Sequence, residues 1–319
     1  MGAFLIMVRN VILFAALAVP GYILVKINFL KQEHSAALSK ILMYVGMPFL
    51  VISGTVNNLV INKDFLFRML TVAIIGIGYT LALFLTSSPL SSYVKEEKAN
   101  RMMRFCQTFS NNGFLGIPLA IAVFGKDSAI FTIVIVLNII TNVMMYSLGT
   151  SLVSGSTKSS GIKKAILNPV LIAFLIGLVL NLTNVKTYIP EVVSYSDYFS
   201  GIVTPISMTI LGMKLAAVKL PTLFTSKKVY YVSAFKLIIC PSVIVSLLLL
   251  VRIFANNVID SDVITAFFVA FAMPTAGLAS TFADTYGSDT DSAVRYTLGT
   301  TIFSILTIPA LFGILSLII

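Results

Sequence analysis

Residues 110–118 read Ser-Asn-Asn-Gly-Phe-Leu-Gly-Ile-Pro, and this stretch decides how the rest of the chain is interpreted. It lies inside an apolar run that extends over residues 102–124. Glycine and proline weaken a helix, and Pro118 also removes one backbone donor and frees a carbonyl group. A free backbone group in hydrocarbon is costly unless protein or water satisfies it. We therefore expect a broken helix that is buried inside a bundle.

A second interruption of the same kind occurs at residues 273–277, which read Met-Pro-Thr-Ala-Gly. Glycine and proline are common in membrane helices, so either interruption alone is also explained as a packing kink. Two interruptions at matching places favour a binding site, because transporters place substrates where paired broken helices meet. Half-helix N-termini at such a place would suit a carboxylate without a formally charged side chain.

The composition of the whole chain indicates a membrane protein. Of its 319 residues, 58% are hydrophobic and 11% are charged, and the mean hydropathy is +0.99. Too few charges remain to cover a water-facing surface. The net charge of +10 comes from short basic clusters between apolar runs, without interleaved aromatic residues. These clusters are typical of topology signals, so we expect no nucleic-acid partner.

The residues that carry metal or redox chemistry are scarce. Cys106 and Cys240 lie in separate apolar runs, and His34 is the single histidine. No apolar run holds a nucleophile beside a base. We therefore expect no metal, no cofactor and no enzymatic activity.

Ten apolar runs are long enough to cross a bilayer, which takes about 20 residues for roughly 30 Å of hydrocarbon. They lie near residues 4–25, 37–57, 66–88, 102–124, 128–153, 165–184, 198–218, 229–251, 262–284 and 293–318. One set of alternate loops holds fifteen of the 22 basic residues and the other holds six, with Lys236 inside the eighth run. The positive-inside rule places the richer set in the cytoplasm and both termini on the other side of the cell membrane.

The expected fold is an all-α membrane protein with ten transmembrane helices. A polar linker at residues 154–164 divides the ten runs into five and five. An odd number of spans in each half reverses the orientation of the second half in the membrane, as in an inverted repeat. The predicted repeats are residues 1–153 and 165–319, with crossed broken helices in spans four and nine.

Motifs along the whole chain resemble those of the auxin efflux carrier family, which includes bacterial malate and malonate permeases and the plant PIN carriers. The stretches that carry the resemblance are residues 38–48, 111–118, Asn168-Pro169, 211–215, 272–276 and 300–309. The resemblance implies a homodimer with elevator-like alternating access. Spans one, two, six and seven would form a scaffold, and spans three to five and eight to ten would move against it.

The resemblance implies transport of a small organic anion, such as a malate-like or auxin-like acid. The protein itself would lie in the lipid of the cell membrane. The alternative is a membrane sensor that binds an anionic or lipid ligand without moving it. The expected substrate-binding residues are Asn111, Asn112, Gly113, Pro118, Pro274, Thr275, Ala276, Ser280 and Thr281. Because Asn112 replaces the family's threonine and Leu278 stands where many members have asparagine, Thr275, Ser280 and Thr281 are expected to supply polarity from span nine.

Five further residues have two readings each. Asn138, Asn142 and Tyr146 share one face of span five and either line the cavity or bond between helices. Lys236 either snorkels to the cytoplasmic interface or faces the cavity, where it would attract an anion. Asp284 is either a solvated helix end or a group that couples protons or ions.

Overall fold

The computed structural model of the chain describes residues 2–58, 63–155, 167, 169–216, 220–254 and 259–319. Residues 156–164 of the predicted linker and Asn168 lie outside the described residues. Helices account for most of the described chain, and its only β-type pairing is a bridge between Ser110 and Thr275. The all-helical prediction is therefore confirmed for the part of the chain that the structure describes.

The α-helices are numbered here in chain order. They are α1 Gly2–Leu17, α2 Val19–Lys26, α3 His34–Ile41, α4 Met47–Asn58, α5 Lys63–Leu90, α6 Glu97–Thr108, α7 Ile117–Phe124, α8 Ala129–Met144, α9 Thr150–Ser154, α10 Pro169–Leu182, α11 Val185–Tyr188, α12 Glu191–Ser200, α13 Val203–Ala216, α14 Leu220–Thr225, α15 Lys227–Ala234, α16 Cys240–Phe254, α17 Ser261–Phe271, α18 Ala279–Thr285 and α19 Thr290–Leu315.

Six helical stretches are long and apolar enough to cross a membrane. They are His34–Asn57, Lys63–Leu90, Ala129–Ser154, Glu191–Ala216, Lys227–Phe254 and Thr290–Leu315. Three shorter apolar helices accompany them, namely Asn112–Phe124, Pro169–Leu182 and Ser261–Phe271. The fold is thus that of a multi-pass membrane protein, in which some helices are too short to cross as single pieces.

Four wider π-helical turns interrupt the α-helices, and proline accounts for three of them. The turns Leu42–Gly46, Asn112–Gly116 and Phe235–Ile239 each end two residues before a proline. A proline ring clashes with the carbonyl four residues earlier and gives it no hydrogen bond. One wider turn relieves that clash while the helix continues, so these prolines bend the helices without ending them.

Small residues allow two helices to approach closely in one part of the bundle. Helix α2 packs along α13, and a methyl group at Gly21 or Gly212 would collide with the backbone carbonyl of Thr209 or Ala18. Helix α10 packs along α4, where a methyl group at Gly177 would meet Thr55 at 2.8 Å. Close backbone approach through small residues is the usual way in which membrane helices associate.

Helix α17 lies at the centre of the larger hydrophobic core. Each of its residues from Val263 to Phe271 is buried, and it packs against α8 and α16. It ends at Phe271, so the chain stops being helical while it is still inside the bundle. This is where the functional site is built.

Candidate functional site at the paired helix breaks

The two predicted interruptions are real breaks, and they meet. Helix α6 ends at Thr108 and the π-helical turn begins at Asn112, whereas α17 and α18 are separated by residues 272–278. The Asn111 N–H donates to the Pro274 carbonyl at 2.7 Å, and the Ala276 N–H donates to the Phe109 carbonyl at 2.9 Å. Each break therefore satisfies part of the other's backbone, as irregular chain inside a bundle must.

Side chains satisfy the carbonyls at the end of α6. The ammonium of Lys236 donates to the carbonyls of Gln107 and Thr108 at 3.3 and 3.2 Å. The Thr275 hydroxyl donates to the carbonyl of Cys106 at 3.1 Å. These are carbonyls that a helix leaves unpaired at its C-terminus, where a positive charge also suits the helix dipole.

A chain of polar side chains runs from the first break into α8. The Asn112 amide donates to Thr141 Oγ1 at 2.8 Å, and the Asn112 amide oxygen accepts from Asn138 Nδ2 at 2.9 Å. Asn142 Nδ2 in turn donates to Asn138 Oδ1 at 3.0 Å. Asn138, Thr141 and Asn142 share one face of α8, because they are three and four residues apart. Asn112 is only 3% exposed, so the network fixes its orientation.

A small cavity of about 40 Å³ lies against the paired breaks. Its polar lining comes from Ser110, Asn111, Asn112, Asn138 and Asn142. Gly113 and Phe114, in the first turn after the break, line it too. That turn presents backbone N–H groups and the positive end of a helix dipole, which suits a carboxylate.

Asn111 differs from Asn112 in how its side chain is used. Within the described chain the Asn111 amide makes no side-chain hydrogen bond, whereas both ends of the Asn112 amide are engaged. Asn111 also lies between two cavities, since it lines the first one and a second of about 30 Å³. Asn111 is thus free to contact a ligand, and Asn112 holds the surrounding network in place.

A wide cleft of about 670 Å³ leads to the breaks from one end of the molecule. It shares Met43 and Leu278 with the cavity at the breaks. At the opposite end Asp197 accepts from Ser53 Oγ at 2.7 Å and pairs with Lys126 at 3.1 Å. Ser39, in the cleft, and Ser53 belong to one continuous helical stretch and are about 20 Å apart along it. The site is reached through a wide cleft at one end, and an ion pair joins α12 to the loop after α7 at the other.

Comparison with known proteins agrees with this architecture. The family described as "Membrane transport protein" matches residues 5–312. The chain belongs to this family. It is the auxin efflux carrier family that the sequence motifs resemble, so that prediction is confirmed.

Two curated members of the transporter family are similar to this chain, and both are named only as uncharacterized transporters. The one from Methanothermobacter thermautotrophicus is 27% identical over 206 residues, which cover 61% of this chain and 63% of the relative. The one from Methanocaldococcus jannaschii is 26% identical over 311 residues, which cover 95% of this chain and 96% of the relative.

Two residues of this transporter have other roles than those expected. Lys236 is 0% exposed and lines none of the described cavities, a placement that neither of its two readings anticipated. The freed carbonyls of α6 draw it inward instead. Thr275 is also 0% exposed, and its hydroxyl is bonded to Cys106. It therefore closes the break and does not add polarity to the cavity.

The other predicted residues spread over the breaks and the cleft. Gly113 and Ala276 line the small cavity, and the Pro274 carbonyl joins the two breaks. Pro118 lies in the first turn of α7. Ser280 lies 3.5 Å from Lys214, and Thr281 lines the wide cleft instead of the breaks.

Four residues with two readings each remain. Asn138 and Asn142 both line the small cavity. Asn138 also bonds to Asn112 outside its own helix, whereas Asn142 bonds to Asn138 within α8. Tyr146 lines the wide cleft, where its hydroxyl contacts Met43 Sδ at 3.6 Å. Asp284 is exposed and accepts from Thr290 Oγ1 at 2.6 Å, which matches the solvated helix end.

Sequence reasoning missed four polar residues around the breaks. Thr141 belongs to the asparagine network and could have been found, since it lies on the same helix face as Asn138 and Asn142. Ser110 begins the decisive stretch. Lys214 lies inside the seventh apolar run, although its charge is grouped with those of the loops in the count above, and Thr297 gives no signal.

Proposed function

We propose that this protein is a carrier for a small organic anion in the cell membrane. The observation that carries the proposal is the cavity at the paired breaks, where a free asparagine amide and a helix N-terminus point at the same space. Donors of this kind stabilise a carboxylate without a full positive charge in contact with it. Membership of a membrane transport family supports movement of the ligand in addition to its binding.

The proposed architecture is ten spans in two inverted five-helix repeats. Each of the ten apolar runs overlaps a described helix, and the two runs with breaks are the fourth and the ninth, at equivalent places in the proposed halves. Packing of α2 along α13 and of α4 along α10 supports a scaffold of spans one, two, six and seven. The remaining spans carry the breaks and would move as the transport part of a homodimer.

The proposed mechanism is alternating access of the elevator type. The wide cleft includes Lys40, which belongs to the set of loops richer in basic residues, and this set is expected in the cytoplasm. The arrangement therefore corresponds to a carrier open to the cytoplasm, with both termini on the other side. The Lys126–Asp197 pair joins α12 to the loop after α7, and it would have to break before the opposite side opens.

Counterflow in proteoliposomes tests the proposed function. Vesicles that contain purified protein are loaded with an unlabelled acid and given the same radiolabelled acid outside, over a panel of monocarboxylates, dicarboxylates and indole acids. A carrier accumulates label, whereas a sensor binds it without accumulation. Asn111→Ala and Asn112→Ala should each lower uptake efficiency by about 10-fold or more, since a hydrogen bond to a charged group is worth about 1.5–3 kcal/mol.

Asn181→Ala is the matched control. Asn181 is a helix asparagine whose amide donates to the carbonyls of Thr55 and Val56, away from the breaks. Its truncation should leave uptake per folded protein unchanged. If Asn111→Ala and Asn112→Ala transport as well as the wild type, the site assignment is wrong.

A further inference from the structure

The small cavity at the breaks, called the asparagine cavity below, has a basic residue in its neighbourhood. This residue is Lys214, near the end of α13. Its ammonium lies 3.0 Å from the Gly277 carbonyl and 3.5 Å from Ser280 Oγ. Both partners are neutral, and the ion pairs among the described residues do not include it. Asp284 acts on this ammonium only through space, so its direct partners are a carbonyl and a hydroxyl. A half-buried ammonium that is held by neutral groups leaves an anion a favourable place beside it.

The second cavity gives such an anion a place. It has a volume of about 30 Å³ and is lined by Lys214, Ser207, Thr297 and Thr301. Asn111, Phe114 and Gly277 separate it from the asparagine cavity and line both. A space of this size exceeds the minimum that one water needs, and a carboxylate would enter it in place of water as the Lys214 side chain moves.

Thr297 provides a second, independent indication of a ligand. It is 6% exposed, and its buried hydroxyl has no hydrogen-bond partner among the described residues. Buried hydroxyls without partners are rare in folded proteins, because each one loses the hydrogen bonds that water would make. A carboxylate beside Lys214 would accept from both groups.

We propose that Lys214 and Thr297 form a second subsite, which holds a second acidic group of the transported anion. This inference rests on the proposed function and makes it more specific. One carboxylate would lie in the asparagine cavity and the other beside Lys214, with Asn111 between them. Lys214 would release the Gly277 carbonyl in exchange for the carboxylate. The subsite therefore selects dianions over monoanions of equal length.

Lys40 and Lys236 do not share this role. Lys236 is sealed against α6, as described above, and cannot reach a ligand without unpairing two carbonyls. Lys40 lines the wide cleft and neither of the two small cavities, so it attracts anions from a distance without holding a carboxylate in the proposed subsite. Lys40→Gln is for this reason a matched control for the removal of a charge.

The experiment compares acids of matched length in the counterflow assay. Malonate, succinate and glutarate are paired with propionate, butyrate and pentanoate. Wild-type protein should prefer the dianion of at least one pair. Lys214→Gln should lower the efficiency for that dianion by about 10-fold or more and change the monoanion by less than about 2-fold, while Lys214→Arg keeps part of the preference. Lys40→Gln should change the ratio of dianion to monoanion much less than Lys214→Gln does, because the cleft lysine acts at a distance through solvent.

Thr297→Val keeps the inference falsifiable if Lys214→Gln folds poorly. It should lower dianion uptake by about 3-fold and leave the monoanion unchanged, since it removes one donor from the second subsite alone. If both Lys214→Gln and Thr297→Val leave the ratio of dianion to monoanion unchanged, the second subsite does not exist. Wild-type transport of monoanions alone also overturns it, and the proposed function then still stands. If the wild type accumulates no acid of the panel, the proposed function itself fails.

Discussion

At each helix break a lysine donates to a backbone carbonyl that the break leaves unpaired. The two lysines differ in their surroundings. Lys236 binds the carbonyls at the end of α6 and is fully enclosed. Lys214 binds the Gly277 carbonyl of the second break but lines a cavity. A lysine at a freed carbonyl is therefore no sign of a substrate site by itself. Access to a cavity separates the structural lysine from the one that is available to a ligand.

The breaks also differ in what their side chains do. The first break supplies amides, of which Asn112 is held by a network and Asn111 is free. The second break supplies backbone and shape, because the Thr275 hydroxyl bonds to Cys106 and its N–H bonds to Thr300 Oγ1 at 3.1 Å. Two breaks at equivalent places in the sequence thus carry unequal chemistry.

The largest effect that we expect is on stability, when the two lysines are replaced by the same residue. Lys236→Met leaves two carbonyls unpaired in a sealed site, and each unpaired buried group costs about 1–3 kcal/mol, so a loss of about 2 kcal/mol or more is expected. Lys214→Met should cost less than about 1 kcal/mol, because water can reach the Gly277 carbonyl through the cavity. Thermal unfolding of both variants in detergent measures the difference. Equal losses would contradict the distinction between the two lysines.

The glycines of the two breaks give the next largest effect. A methyl group at Gly113 would lie 2.8 Å from Asn138 Nδ2, whereas one at Gly277 would lie 3.3 Å from the nearest atom, Asn111 Nδ2. Gly113→Ala must therefore displace the Asn138 amide from Asn112, and we expect transport efficiency to fall about 10-fold. Gly277→Ala should lower it about 3-fold or less, since the free Asn111 amide can move aside. Counterflow measures both, and a larger loss for Gly277→Ala would contradict the assigned networks.

A smaller effect is expected from two matched threonine substitutions. Thr275→Val leaves the Cys106 carbonyl unpaired and should lower the free energy of unfolding by about 1–2 kcal/mol. Thr297→Val removes a hydroxyl without a described partner, so its loss should stay within about 0.5 kcal/mol. Both are measured by thermal unfolding without ligand. A destabilised Thr297→Val protein would mean that this hydroxyl has a structural partner.

The smallest effect is expected at Ser110, whose hydroxyl likewise has no described partner and faces the asparagine cavity. Ser110→Ala should change the free energy of unfolding by less than about 0.5 kcal/mol. It should instead reduce the thermal stabilisation that a transported acid gives, because stabilisation follows affinity. An unchanged ligand-induced shift would place the bound acid away from the first break.

Much of this arrangement could be predicted from the sequence, for a physical reason. Glycine, proline and asparagine inside apolar runs leave backbone groups that lipid cannot satisfy, so interruptions near 110–118 and 273–277 and their mutual contact are expected. The breaks lie at 109–111 and 272–278, and Pro118 belongs to the helix that follows the first of them. The same logic reached Asn111, Asn112 and Ala276. This prediction is possible because the residues that weaken a helix lie within that helix.

The roles of the lysines and threonines could not be predicted in this way. Whether Lys236 snorkels, faces a cavity or turns inward depends on which carbonyls lie across from it, and those belong to a helix more than a hundred residues earlier. Thr275 and Thr297 look alike in sequence, but one bonds to Cys106 and the other has no described partner. Side-chain pairing between distant segments is set by packing, which local patterns do not encode.

The backbone pairing of Phe109 and Asn111 with Ala276 and Pro274 also fixes when the site can appear during biosynthesis. Its two sides come from distant parts of the chain, so a nascent protein that has inserted only residues 1–155 holds one wall of the pocket and no more. Contacts of such long sequence separation form late, after the loops between them have closed. The pocket is therefore a product of final assembly, and a truncated or half-inserted chain would sit in the membrane without any capacity to bind its ligand.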